Sequence, residues 1–123
     1  MFINISDTPS TEWSMKKIIE AKFLDLDEKP RIVDIQLPNI GPKATTKELH
    51  KKVEDLMDKV YEKKGFSRYV VFHVMGDAGL MYNIVKILKF QGYPVCYSTT
   101  KNVITKTNKE KISTPEFVQF RHY

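Results

Sequence analysis

Short apolar runs and longer amphipathic stretches alternate along most of this chain. Four of the apolar runs are rich in β-branched and aromatic side chains, which is typical of strands: Phe2–Ile5, Arg31–Leu37, Tyr69–Met75 and Val95–Ser98. Between them lie stretches in which apolar residues recur every three to five positions, and this spacing predicts helices. Strands that alternate with helices predict an α/β fold with a mainly parallel sheet.

Three helices are predicted from spacing and end signals. The first starts between Ser10 and Ser14 and is expected to turn four side chains inward: Met15, Ile18, Ile19 and Leu24. The second begins at Thr45 and Glu48, which form a capping box, and Gly65 suits the position past its end. Its apolar stripe consists of Leu49, Val53, Leu56, Met57, Val60 and Tyr61. The third helix follows Gly76-Asp77-Ala78-Gly79, with Leu80, Ile84 and Leu88 among its inward residues, and Gly92 closes it.

After Lys101 the pattern changes. Val103–Lys106 and Glu116–Arg121 are predicted to form the arms of an antiparallel hairpin, because no helical stretch remains for a crossover. We therefore predict a three-layer Rossmann-like sandwich with a mainly parallel sheet of order 2-1-3-4, as in flavodoxin-like sheets, and a C-terminal antiparallel hairpin. Residues 1–123 are expected to form a single domain.

Composition narrows the class of protein. With 41% apolar and 28% charged residues the chain has the content of a soluble globular protein, and no apolar run approaches the ~20 residues of a membrane helix. No signal peptide is predicted, so we expect a cytoplasmic location and no membrane partner. Cys96, the single cysteine, is expected to be a small buried hydrophobic residue.

The formal charge of +5 is unevenly distributed. From Lys101 to the end, five basic residues outnumber two acidic ones, which favours an anionic partner. The excess is too scattered for a nucleic-acid groove, so no duplex nucleic acid is predicted as a partner.

Three polar segments follow strands one, three and four: Ser6-Asp7-Thr8, Gly76-Asp77-Ala78-Gly79 and Ser98-Thr99-Thr100-Lys101. Ligands of open α/β sheets bind at the carboxyl ends of the strands, so these loops predict a binding site. Hydroxyls, the charge of Lys101 and the free N–H groups of the third helix suit a phosphate-bearing ligand. Asp77 would repel a phosphate; it either caps the helix or contacts the ligand.

Other chemistry is sparse. His73 lies inside a strand, either as a satisfied sheet histidine or as a general base near the crevice. The three histidines are scattered, so neither a metal site nor a cofactor is predicted. No Ser, His and Asp set can be assembled from spacing alone, and the glycine-containing turn is not a P-loop.

The Ser-Asp-Thr-Pro loop, the Val-Phe-His-Val-Met-Gly-Asp strand-turn and the Ser-Thr-Thr-Lys-Asn stretch resemble the CRISPR-associated Rossmann fold, in particular its small standalone members. The resemblance implies a homodimer in antiviral defence that holds a cyclic oligoadenylate across the two subunits, and some members cut this ring without metal. The residues that the resemblance assigns to ligand binding are Ser6, Asp7, Thr8, Gly76, Asp77, Ser98, Thr99, Thr100 and Lys101. The family's usual second motif places an acidic or amide residue before the hydroxyl, and this chain departs from it.

Three functions are consistent with these observations. The first is metal-independent cleavage of the ring by its ribose 2′-hydroxyl, with Lys101 stabilising charge and His73 accepting the proton. The second is a sensor or sponge that binds the nucleotide without cutting it. The third is a dimeric adaptor without a nucleotide ligand, whose interface contains Phe117 and Phe120.

Overall fold

The computed structural model describes residues 1–123 as an α/β fold with a five-stranded mixed sheet. The strands are β1 (Phe2–Ser6), β2 (Ile32–Gln36), β3 (Val71–Val74), β4 (Val95–Lys106) and β5 (Lys111–His122). The helices are α1 (Met15–Leu24), α2 (Thr46–Lys64) and α3 (Ala78–Phe90), and a 3₁₀ turn covers Ser10–Glu12. None of these helices combines the length and hydrophobicity needed to cross a bilayer.

The strand order is β2-β1-β3-β4-β5, which confirms the order predicted from the sequence. β1 pairs in parallel with β2 and β3, β3 pairs in parallel with β4, and β5 returns antiparallel to β4. The central position of β3 explains why its side chains are buried throughout. In this register Asn4 lies opposite both Asp34 and His73.

Alternate residues of the strands enter two separate clusters, because successive side chains point to opposite faces of a sheet. Ile3, Ile5 and Phe72 belong to a cluster of 16 buried residues that includes the inward faces of α2 and α3. Phe2 and Cys96 belong to a second cluster, which contains residues from α1 and the turn before it. Cys96 is fully buried, as expected, and burial raises the pKa of its thiol to about 12.

α2 agrees closely with its sequence signals. The Thr45 hydroxyl accepts a hydrogen bond from the Glu48 backbone N–H at 3.2 Å, and Gly65 ends the helix with a φ of 54°. The predicted stripe is buried or half-buried except at Tyr61, which is 44% exposed.

α1 differs from its prediction. The helix begins at Met15, and Ser14 caps it by accepting from the Lys17 N–H. Its inward side is formed by Ala21, which is buried, and by the half-buried Ile18 and Leu24. The expectation that Met15 and Ile19 point inward is wrong, since both are exposed. The apolar residues of α1 are distributed around all sides of the helix, so their spacing alone could not indicate which side contacts the sheet.

β4 is much longer than its prediction. Ser98–Lys101 was expected to be a loop, but these residues continue the strand and pair with β5. β3 ends one residue after His73, which lies opposite Cys96, so the later part of β4 has only β5 beside it. Thr100–Lys106 and Lys111–Glu116 thus form an exposed two-stranded arm, which extends roughly 20 Å beyond the parallel sheet. The run of β-branched residues favours this continuation.

Gly76 is expected to be essential for the junction between β3 and α3. Its φ is 154°, and a Cβ at this position would overlap the Cδ1 of the buried Leu37. Gly76→Ala should therefore lower the free energy of unfolding by about 1–3 kcal/mol. Gly41→Ala is the matched control, because no atom lies within 4 Å of a Cβ there. Urea unfolding of both variants tests this prediction, and equal stability would contradict it.

Candidate functional site

Four polar side chains on neighbouring strands form one hydrogen-bonded chain across the sheet. The Asn4 amide nitrogen donates to Asp34 Oδ1 at 2.8 Å, and Asn4 Oδ1 lies 2.9 Å from His73 Nδ1. His73 Nε2 lies 2.5 Å from the Ser98 hydroxyl. We call Asp34, Asn4, His73 and Ser98 the polar ladder; it lies on the α1 side of the sheet, near the carboxyl ends of the strands.

The partners of Asn4 define the protonation of His73. The Asn4 amide nitrogen donates to two acceptors, the Asp34 carboxylate and the Thr8 carbonyl, the latter at 2.9 Å. The amide oxygen must then face His73, so Nδ1 carries the proton and donates. Nε2 is left as an acceptor for the Ser98 hydroxyl. Ser6 adds a further bond, because its hydroxyl donates to Asn4 Oδ1 at 2.8 Å.

Burial keeps the His73 ring neutral. The residue is 1% exposed, and burial, assisted by the positive charge of Lys17, lowers the pKa of His73 to about 3. The ring packs against Trp13 at 5.4 Å and Phe120 at 5.4 Å between centroids. Both nitrogens already have partners inside the protein, so neither is available to a substrate.

Ser98, His73 and Asn4 have the connectivity of a Ser–His–Asn nucleophilic array, in which a hydroxyl faces a base that a third group orients. Ser98 is only 8% exposed, however, and His73 beside it is only 1% exposed. A substrate would need access to the hydroxyl. The array therefore satisfies buried polar groups and is closed to chemistry in this conformation.

Two adjacent cavities open at the carboxyl ends of β1, β2 and β3. The first is about 230 Å³ and is lined by Asn4, Ser6, Asp7, Pro9, Asp34, Ile35 and Gln36. The second is about 440 Å³ and is lined by Asp7, Gln36, Leu37, Pro38, Asn39, Ile40, Asp77 and Leu80. They share Asp7 and Gln36, so together they form one depression, here called the carboxyl-edge groove. The groove crosses the switch point between β1 and β3, where open α/β sheets bind their ligands.

The lining of the carboxyl-edge groove is acidic. It contains the carboxylates of Asp7, Asp34 and Asp77 but no lysine or arginine. Asp77 caps α3 by accepting from the N–H groups of Gly79 at 3.0 Å and Leu80 at 3.1 Å. No three His, Cys, Asp or Glu side chains converge as metal ligands. The groove thus offers acceptors to hydrogen-bond donors such as hydroxyl and amino groups, and its lining supplies no positively charged side chain to a phosphate.

Asp7 and Gln36 supply the groove's unused polar groups. Both residues are exposed, and neither side chain bonds to another part of the protein. Asp34, in contrast, also accepts from the Ser10 N–H at 2.9 Å and from the Ser10 hydroxyl at 2.8 Å. A ligand would therefore meet Asp7 and Gln36 first.

The structure brings only some of the predicted site residues together. Five of them lie around the groove, as expected for segments that follow neighbouring strands: Ser6, Asp7, Thr8, Gly76 and Asp77.

The remaining predicted residues lie on β4. Ser98 belongs to the polar ladder, and the Thr99 hydroxyl donates to the Gln119 carbonyl at 3.2 Å. Thr100 and Lys101 lie in the arm, where Lys101 is opposite Glu116. Lys101 is five positions beyond Cys96, the residue opposite His73, which is roughly 16 Å along the strand. The predicted catalytic pair, Lys101 and His73, is thus widely separated.

Asn4, Asp34 and Gln36 were not expected at the site. Asn4 and Asp34 each interrupt an otherwise apolar strand, and a polar residue in a buried strand needs a partner. That interruption was visible in the sequence. The pairing of the two residues depends on the strand register, which the sequence alone does not define.

The pH dependence of stability tests the state of His73. Its pKa is about 3 in the folded chain and 6.5 ordinarily, so below pH 6.5 the unfolded chain binds a proton that the folded chain does not. His73 should therefore lower the free energy of unfolding by about 1.4 kcal/mol per pH unit as the pH falls from 6.5 towards 3. Urea unfolding between about pH 4.5 and 6.5 measures this slope. His73→Gln should reduce the slope; an unchanged slope would show that the ring titrates normally.

Comparison with known proteins identifies a family. A model of the family described as "Uncharacterized protein MJ1673 family" matches residues 2–123, from β1 to the end of the chain. No curated protein and no solved structure matches the chain. The family match contains no link to the CRISPR-associated Rossmann fold. Because the match covers nearly every residue, the chain belongs to the uncharacterized MJ1673 family.

Proposed function

We propose that this protein binds a nucleoside-containing ligand in the carboxyl-edge groove and does not cleave it. The observation that carries the proposal is the pair of unused polar side chains, Asp7 and Gln36, at the switch point between β1 and β3. Polar groups that converge in a concave site without internal partners are available for ligand recognition.

The groove chemistry indicates which part of the ligand binds there. Carboxylates accept hydrogen bonds from ribose hydroxyls and from the amino group of a base, and the Gln36 amide can both donate and accept. A phosphate would be repelled by Asp7 and Asp77, so the proposed orientation turns any phosphate out of the groove. The basic residues of the arm, among them Lys101, then lie on the side towards which the phosphate would point.

Binding without cleavage is proposed because the predicted catalytic pair, His73 and Lys101, is not assembled at the groove. The two ring nitrogens of His73 are engaged by Asn4 and Ser98, and Lys101 lies far along β4. Ring cleavage would need positive charge at the reacting phosphate as well as a group that accepts the proton of the attacking hydroxyl, and the groove lining contains no lysine or arginine. The sensor or sponge hypothesis therefore has more support than the cleavage hypothesis.

The resemblance to the CRISPR-associated Rossmann fold supplies one specific candidate ligand, a cyclic oligoadenylate. The proposed architecture is the three-layer Rossmann-like sandwich, which fits the two clusters on opposite faces of the sheet. Adenosine presents the same base and sugar without a phosphate, so it separates recognition of the nucleoside from recognition of the ring.

A thermal-shift series tests the proposal. The probes are adenosine, AMP, inorganic phosphate and the cyclic tri-, tetra- and hexa-adenylates. A ligand at about 100 times its Kd should stabilise the fold by about 2.7 kcal/mol, a shift of several degrees in Tm. We expect a shift with adenosine or an adenylate but none with phosphate alone, and chromatography should recover the ligand intact.

Asp7→Asn should remove most of the shift, because it replaces an unused carboxylate in the groove. Asp58→Asn, an exposed residue on α2, is the matched control and should leave the shift unchanged. Absence of a shift with every nucleoside probe would contradict the proposal and favour the adaptor hypothesis. Recovery of linear product in a chelator would instead favour cleavage.

A further inference from the structure

The exposed side of α1 carries a continuous line of large apolar residues. Met15 is 70% exposed, Ile19 59% and Phe23 87%, and Leu26, just beyond the helix, is 77% exposed. The three helical residues are spaced by four positions, so they follow one another along the same side of the helix. We call these four residues the α1 stripe.

The area of the α1 stripe is large for a protein of this size. With about 200 Å² for each fully exposed residue of this kind, the stripe leaves roughly 600 Å² in contact with water. This value is at the upper end of the largest apolar patches on monomeric proteins, about 300–600 Å². A stable interface buries about 800 Å² on each partner, so the stripe with its charged rim is close to that requirement.

Phe117 and Phe120, the two residues that the adaptor hypothesis placed at a dimer interface, pack against other residues of the same chain. Phe117 is 8% exposed, and its ring packs on Phe120 at 4.9 Å between centroids. Phe120 in turn packs on Phe2 and Trp13. These aromatic residues cover the sheet beneath α1, and the α1 stripe is the apolar surface left uncovered above it.

We propose that the α1 stripe is the interface of a homodimer, in which α1 of one copy packs against α1 of a second copy about a two-fold axis. This proposal is independent of the ligand proposed above. A line of apolar residues along one helix is complementary to itself, which an isologous two-fold contact requires. The flexible Met15 side chain can adapt its shape to the residue that it faces across the contact.

Charges flanking the α1 stripe are complementary to those of a second copy. At 3.6 residues per turn, Lys22 lies on one flank of the stripe, and Lys16 and Glu20 lie on the other. A parallel pair brings Lys22 of one copy close to Glu20 of the second copy. An antiparallel pair centred on Ile19 brings Lys16 of one copy close to Glu20 of the second copy, so opposite charges meet in either direction.

Sedimentation velocity from about 1 µM to about 1 mM tests the interface. We expect the wild-type chain to form a dimer and Ile19→Glu to be monomeric with an unchanged circular dichroism spectrum. Phe23→Lys is a second variant with the same expected result. Phe90→Glu is the matched control, because Phe90 is 93% exposed on α3, away from the stripe, and this variant should remain dimeric.

A wild-type monomer at every concentration would overturn the proposal, whether or not the chain co-sediments with anionic vesicles or captures another protein. A dimer that survives both Ile19→Glu and Phe23→Lys would overturn it as well, and so would dissociation by Phe90→Glu.

Cross-linking tests whether the α1 stripe of one copy meets that of a second copy. Ile19 lies at the centre of the stripe, so Ile19→Cys should be linked to Ile19→Cys of a second copy by a short bis-maleimide, whichever way the two helices run. The native Cys96 is buried and should not react. Absence of this link at concentrations where the wild-type chain is dimeric would overturn the proposal.

Discussion

The hydrogen bond between Asn4 and His73 holds together the polar part of this sheet. Both side chains are almost completely buried, and each would be costly without its partner. An unpaired buried donor or acceptor costs about 1–3 kcal/mol, a large fraction of the stability of a small domain. This bond gives a partner to Asn4 Oδ1 and to His73 Nδ1. Asp34 is a partner of the Asn4 amide nitrogen, and Ser98 is the partner of His73 Nε2. Four strands are thereby tied together on one face.

The polar ladder also shapes the edge where the groove lies. Asp34 accepts two hydrogen bonds from Ser10, and the Asn4 amide donates to the Thr8 carbonyl. The segment between β1 and α1 is therefore fastened to the sheet by the same residues that keep His73 neutral. Asp7 lies in that segment without a partner of its own. A rigid loop that presents one free carboxylate is well suited to recognise a ligand without a large loss of entropy on binding.

Local patterns predicted much of the fold. The extent of α2 and the turn into α3 follow from signals within single segments, such as the Thr45–Glu48 cap. The strand order was instead predicted by analogy with flavodoxin-like sheets, from the alternation of strands and helices. The buried side of α1 could not be predicted, because Met15 and Ile19 are as apolar as the residues that contact the sheet. The length of β4 depends on pairing with β5, an interaction between segments.

The candidate site was predictable only in part, for the same reason. The positions of Asp7 and Asp77 at the candidate site could be predicted from the rule that ligands bind beyond the carboxyl ends of strands. The roles of Asn4 and Asp34 depend on register across three strands, and no local pattern encodes register. Lys101 was expected at the crevice because β4 was expected to stop at Ser98. Lys101 instead lies in the arm, so the groove lining contains carboxylates and no lysine.

The most direct test of the polar ladder is a double-mutant cycle between its two ends, Asp34→Ala and Ser98→Ala. These residues lie on β2 and β4, with two strands between them, so they are roughly 14 Å apart at the spacing of neighbouring strands. Residues this distant normally contribute independently. If the ladder acts as one unit, the double variant should lose less unfolding free energy than the sum of the single losses, by at least about 0.5 kcal/mol. Additivity within about 0.3 kcal/mol would contradict the account.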